Sequence, residues 1–100
     1  MGQSEVIKEL SLYKSLVSRY FDLEKMILFG SYARGTQREH SDIDVAVIVR
    51  KIDGDFFATT PILWKLRRDI DTRIEPILFE KDNDPSGFLD EIIRTGIEIP

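Results

Sequence analysis

A chain of 100 residues with 42% hydrophobic content is the size of one small globular domain, expected to span residues 1–100, and is too short for two independent cores. Its 18 acidic against 14 basic residues give a formal net charge of −4, which excludes a surface that grips polynucleotide mainly through phosphates but leaves open a small anion held through a metal. The absence of cysteine excludes disulfides, thiolate metal centres and thiol nucleophiles, and suits a reducing cytoplasm.

Met1 to Leu10 carries Glu5, Lys8 and Glu9 and has no apolar h-region, so no secretory signal is expected. No apolar run is long enough to span a bilayer. Val6, Leu10, Tyr13, Val17 and Tyr20 recur every three or four residues among charged neighbours, which predicts an amphipathic helix from about Ser4 to Tyr20 with that stripe in the core. Lys25 to Phe29 is a short apolar run closed by Gly30, a first strand. From Ile43 to Val49 the β-branched residues Ile43, Val45, Val47 and Val49 line one face of a second strand, and Asp42, Asp44, Ala46 and Ile48 the other.

Asp53-Gly54-Asp55 predicts a turn. Thr60-Pro61 reads as an N-cap with proline at the first helical position, followed by Ile62, Leu63, Leu66 and Ile70 in a helix from about Pro61 to Asp71. Arg73 to Phe79 is a third strand, on which Pro76 removes a ladder donor and so predicts an edge position or a bulge. Asp84-Pro85-Ser86 repeats the cap-and-proline pattern before a short helix with Phe88, Leu89, Ile92 and Ile93, which Gly96 ends. The order α, β, loop, β, α, β, α predicts an α/β or α+β layer: a small mixed sheet of three or four strands flanked by helices. A core this small leaves room for an apolar face that pairs with a partner or a second copy of the chain.

Asp42 and Asp44 lie two apart on a strand, so both carboxylates point the same way with backbones roughly 6–7 Å apart. With no lysine or arginine between them they repel, unless a cation sits where their oxygens meet. Mg²⁺ is the natural candidate, because it binds one or two carboxylates together with substrate phosphates, and it implies a bound nucleoside triphosphate. The Gly30-Ser31 turn supplies the complement: glycine lets backbone approach an anion and serine adds a hydroxyl beside exposed amides. Tyr32-Ala33-Arg34 forms the first turn of a short helix that Gly35 ends, and a ten-residue return lays the second strand beside the first.

Gly30-Ser31, ten residues, then Asp42-Ile43-Asp44 resembles the signature of the minimal nucleotidyltransferases of the DNA polymerase beta superfamily. The longer strings FGSYARG and SDIDVAVIV are closest to the stand-alone members that pair with HEPN-domain proteins as toxin–antitoxin systems. The resemblance covers about Ile27 to Phe79. It implies the nucleotidyltransferase fold and a two-ion transfer of AMP from ATP, in which one Mg²⁺ activates the attacking hydroxyl, the other steadies the triphosphate, and pyrophosphate leaves. It also implies a third carboxylate from a neighbouring strand, for which the matching residue is Glu75, on the same face as Asp71 and Arg73 by alternation, with Asp71 as the fallback. The catalytic and metal set is therefore Asp42, Asp44 and Glu75, and the nucleotide-binding pair Gly30 and Ser31. The implied acceptor is a tyrosine on a HEPN toxin, with this chain as the antitoxin. Competing readings are a non-catalytic module that neutralises its partner by occlusion, and nucleotidyl transfer to a small molecule such as an aminoglycoside. A polymerase is disfavoured by the acidic balance and by the lack of a thumb-like domain.

Ser31 can also cap a helix, a role compatible with presenting amides. Arg34 is open between the triphosphate and a loop acid. His40, a lone histidine in a polar loop, is expected to be exposed. Arg67, Arg68, Asp69 and Asp71 read as a solvated helix face. Lys81-Asp82-Asn83-Asp84 lacks calcium-loop spacing and reads as a turn. Among tyrosines open to modification, Tyr13 and Tyr20 are assigned to packing. Trp64, Phe56 and Phe57 are open between a partner surface and burial.

Overall fold

The apolar stripe of the first segment buries Val6, Leu10, Tyr13 and Val17 completely, in helix α1 (Gln3–Val17). This computed structural model describes residues 2–52, 54 and 56–100, with the backbone alone of residues 56 and 57. Two of the three residues of the expected 53–55 turn, and the side chains of Phe56 and Phe57, lie outside the described residues.

Beyond α1 come β1 (Leu23–Phe29), α2 (Ser31–Arg34), β2 (Ile43–Val49), α3 (Phe56–Leu66) with a 3-10 turn (Arg67–Asp69), β3 (Ile74–Glu80), α4 (Phe88–Thr95) and β4 (Ile97–Glu98). The sheet runs β3-β2-β1-β4, with β2 parallel to β3 and antiparallel to β1, and β4 antiparallel to β1. The architecture is a four-stranded mixed sheet flanked by helices. Central β2 buries both faces, which is why its sequence is nearly all aliphatic. Ile43, Val45, Val47 and Val49 pack with Val6, Leu10, Tyr13 and Leu63 from α1 and α3, whereas Ala46 and Ile48 pack with Ile27, Leu89 and Ile92 on the α4 side. Hydrogen bonds lock the first layer: the Tyr13 hydroxyl donates to the Leu63 carbonyl at 2.8 Å in the buried core, and Lys14 Nζ, partly buried, to the Ile99 carbonyl at 3.0 Å.

Four expectations are corrected. Helix α1 ends at Val17, so Tyr20 falls beyond the stripe and is 61% exposed, while Tyr32 from α2 takes a core position. Helix α3 begins a turn before Thr60-Pro61, so Pro61 sits inside it and Thr60 Oγ1 caps nothing. The lost amide bond of Pro61 is offset by burial of Leu63 and Leu66 in the core. Helix α4 has Gly87 at its N-cap; the Asp84 carboxylate still serves its first turn, accepting from the Leu89 and Asp90 amides at 3.0 and 2.9 Å. Finally, β4 has no counterpart in the expected order of elements. Pro76 lies on edge strand β3, in agreement with its missing donor, and the β2–β3 register runs without a shift. Among the described residues no helix is long and apolar enough to cross a membrane.

Gly96 lets the chain turn from α4 into β4 against the sheet. A Cβ there would stand 2.6 Å from the Ile92 carbonyl oxygen and 2.7 Å from that of Leu28, neither of which can move cheaply. Gly96→Ala should therefore lower unfolding stability by about 1–3 kcal/mol in urea titrations, with loss of amide-exchange protection concentrated at residues 26–28 and 97–99.

Candidate functional site

Strand β1 ends by delivering Phe29 and Gly30 to one edge of the sheet. Phe29 is the cross-strand partner of Asp44, and Asp44 is the register partner of Glu75. Partners across a ladder project to the same face, so Phe29, Asp44 and Glu75 form a row over three strands. This is the face of Ala46 and Ile48, which α4 covers further along the strands. Asp42 lies just before β2 and is exposed, whereas Asp44 and Glu75 are half-buried.

Gly30 adopts φ 75°, ψ −152°, a backbone region essentially reserved for glycine. A Cβ at residue 30 would overlap Asp44 Oδ2 and come within 3.2 Å of its Cγ. The carboxylate of Asp44 thus rests directly on the turn. Gly30 occupies the N-cap of α2 and Ser31 is its first helical residue, so the Ser31 hydroxyl has no capping role. Tyr32 anchors α2 in the core, Gln3 Nε2 donates to the Tyr32 carbonyl at 2.9 Å, and Gly35 ends the helix in the left-handed region.

The acid row is electrostatically frustrated. Burial, then the charge of Asp42, pushes the Asp44 carboxyl above its usual range, and the Arg34 guanidinium and a hydrogen bond with Glu75 pull it back. Burial, then the charges of Asp42 and Asp44 and a hydrogen bond to Asp42, push the Glu75 carboxyl up as well, against the opposing charge of Arg67. Asp44 and Glu75 are thus both raised by burial and by the acid charge around them. Among the described residues no three His, Asp or Glu side chains are gathered into a formed metal centre. What the row offers is three hard oxygen donors whose mutual repulsion a divalent cation would relieve.

Asp71 does not join this row. Residues 72 and 73 form a turn, so strand alternation does not extend back to Asp71. Its carboxylate instead holds Arg73, accepting from the backbone amide at 2.9 Å, from Nε at 3.1 Å and from Nη2 at 2.7 Å. That grip holds Asp71 down to about 2, and Asp71 shares a proton with Glu9 of α1. Glu9 is pushed up to about 7 by burial, then by the hydrogen bond to Asp71 and its charge. Arg67 likewise departs from a solvated face: it donates through Nη1 to the Thr72 and Ile74 carbonyls at the start of β3. Arg34 and Arg67, the two cations that bear on the acid row, are not assigned to the site by sequence reasoning; their helical positions are visible there but their reach across the chain is not. His40 is exposed, as expected.

Residues 13–100 match the family model described as polymerase beta, nucleotidyltransferase. A Methanocaldococcus jannaschii protein described as a candidate protein adenylyltransferase is 33% identical over 101 aligned residues, covering 95% of this chain and 99% of its own. A crystal structure of a candidate nucleotidyltransferase from Sulfolobus solfataricus superimposes with a TM-score of 0.72 at 22% identity, over 96% of this chain and 80% of that one. A toxin–antitoxin crystal structure with AMP-PNP superimposes with a TM-score of 0.66 at 27% identity, over 92% and 72% of the two chains.

Two outcomes are expected from the electrostatics. In chelating buffer, Asp44→Asn should raise the thermal midpoint, by an amount equivalent to about 1 kcal/mol, because it removes one member of a repelling row without changing shape; a fall would mean that the row is not under repulsion. For Glu9, the folded-state value of about 7 lies above the ordinary 4.5, so its contribution to stability is full below pH 4.5 and is lost as pH rises to about 7. Asp71 moves the other way, losing its contribution only as pH falls from 3.8 through about 2, and leaves that window undisturbed. Glu9→Gln should thus gain on the wild type across pH 4.5–7, by on the order of 1 kcal/mol at pH 8, read from urea midpoints as a function of pH.

Proposed function

The chain belongs to the polymerase beta nucleotidyltransferase family, and on that premise we propose that it moves AMP from ATP to a hydroxyl, with Asp42, Asp44 and Glu75 as the catalytic metal ligands, Gly30 and Ser31 as the nucleotide-binding turn, and a tyrosine of a HEPN-domain partner as acceptor. The observation that carries the reading is the seat of Asp44 on the Gly30 backbone, which makes the anion-binding turn and the acid row one site.

Asp42, Asp44 and Glu75 would hold the Mg²⁺: they supply hard oxygen donors, Asp44 and Glu75 from adjacent strands, with both of those carboxyls raised by burial and by neighbouring acid charge. Two bound ions would supply the Lewis acidity that favours an ionised acceptor hydroxyl and neutralises the triphosphate. The remaining work belongs to the chain. The amides ahead of the first α2 bond, Arg34 N to Gly30 O at 3.2 Å, are the groups that would meet the phosphates, and the bare Gly30 lets them approach. Arg34, whose charge already acts on Asp44, adds a cation on the triphosphate side. The acceptor oxygen bonds to the α-phosphorus as the bond to the bridging oxygen breaks; pyrophosphate leaves, and the hydroxyl proton is lost through the acid row to solvent. A protein acceptor is supported by the description of the Methanocaldococcus relative, and a nucleotide with a partner chain by the AMP-PNP complex. The HEPN assignment is supported by the FGSYARG and SDIDVAVIV strings.

Incubation with α-labelled ATP, Mg²⁺ and a HEPN-domain partner should put label on a partner tyrosine. Asp42→Asn and Asp44→Asn should each reduce the rate by roughly a hundredfold or more, and chelation should abolish it. Transfer that persists in chelator, or in both variants, would overturn the metal-site assignment.

A further inference from the structure

The outer side of α3 and of the 3-10 turn after it concentrates positive charge in a chain of net charge −4. Lys65, Arg67 and Arg68, together with Thr60, Pro61 and Trp64, line a groove of about 530 Å³. The Arg67 guanidinium carbon sits 4.5 Å from the centre of the Trp64 ring, and Arg67 Nη1 is spent on the β3 backbone, 3.0 Å from the Ile74 carbonyl oxygen. That geometry leaves Arg67 Nε buried with no hydrogen-bond partner among the described residues, and Thr60 Oγ1 in the same wall is in the same state. Both atoms are sealed from solvent, so the charge the groove presents to a ligand comes from the exposed Lys65 and Arg68. Pro61 and Trp64 add exposed apolar surface beside the cations. The groove also lies beside the start of β3, since Arg67 bonds the carbonyl of Ile74, the residue before Glu75. Asp69, in the same turn, is exposed.

We propose that this groove is the docking site for the protein that receives the adenylyl group, and that it takes an acidic segment of that protein, with carboxylates on Lys65 and Arg68 and an apolar side chain against Trp64. An acidic partner is repelled by the chain's net charge and by the acid row, and attracted at this groove, so the field steers it to the side of β3 beside the carboxylates. A polynucleotide would meet the same three cations but too little other positive charge to hold its backbone. Docking itself is independent of the transfer reading; only the identity of the docked protein as adenylyl acceptor rests on it.

Trp64 is the chain's single tryptophan, so its emission reports on the groove. The probe is a poly(Glu,Tyr) copolymer, which is acidic and carries tyrosyl hydroxyls, with poly(Lys,Tyr) and poly(U) as comparisons. Poly(Glu,Tyr) should shift the emission saturably and in a salt-sensitive way; the exposed pair Lys65→Glu and Arg68→Glu, with circular dichroism unchanged, should weaken it about tenfold. Equal titration of variant and wild type, or equal or tighter binding of either comparison polymer, overturns the proposal, and poly(U) winning would assign the groove to nucleic acid. Labelled ATP with Mg²⁺ separates the two readings. Copolymer that docks but takes no label keeps the groove and counts against transfer to tyrosine. Label taken with an unchanged KM for copolymer in the variant keeps the transfer and removes the groove.

Discussion

The absence of a Cβ at residue 30 is the constraint on which the site depends. Gly30 lies in a backbone region that other residues avoid, and its bare α-carbon admits the Asp44 carboxylate where a methyl group would collide with it. The chain leaving β1 can therefore fold over the start of β2 instead of being pushed away from it. The contact places a carboxylate, which suits cations, directly against a turn whose amides suit anions.

The sheet carries this arrangement by treating its faces unequally. One is sealed by α1 and α3 around Ile43, Val45 and Val47; the other is covered by α4 over Ala46 and Ile48, with Phe88 edge-on to Phe29 at 6.0 Å and to Phe79 at 6.1 Å. Phe29 shares its rung of the ladder with Asp44, so the aromatic contact ends where the acids begin. Rigid packing on one side holds the row in register while the row itself remains open. Like charges kept close by a well-packed scaffold lower the stability of the fold that holds them.

Much of the layering was legible because burial periodicity is local. The alternation in β2 and the stripe of α1 depend only on which residues face which layer, and both read directly from spacing. The Gly30-Ser31 and Asp42-Asp44 pattern was legible too, since a family motif concentrates its information in a few positions. What was illegible depends on contacts that sequence distance hides. Strand β4 is two residues long and exists only because the chain after Gly96 docks on β1. Helix α3 extends through Pro61 because its later residues are buried, and Tyr20 leaves the core because the helix stops before it.

The two carboxyl clusters of this chain show why spacing alone cannot assign a role to an acid. Asp71 and Glu75 are four residues apart and both precede or open β3, yet the turn at residues 72 and 73 rotates Asp71 toward α1. There Arg73 neutralises it at three points and Glu9 shares its proton, which makes it a clasp between α1 and β3. Glu75, inside the sheet, is the register partner of Asp44, and the Arg67 charge opposes the repulsion between the acids there. A carboxylate already satisfied by a guanidinium has little to gain from a further cation, whereas one whose proton affinity is raised by burial and by neighbouring carboxylates has more to gain. The division of roles follows from which acid the fold supplies with a cation and which it leaves in need of one.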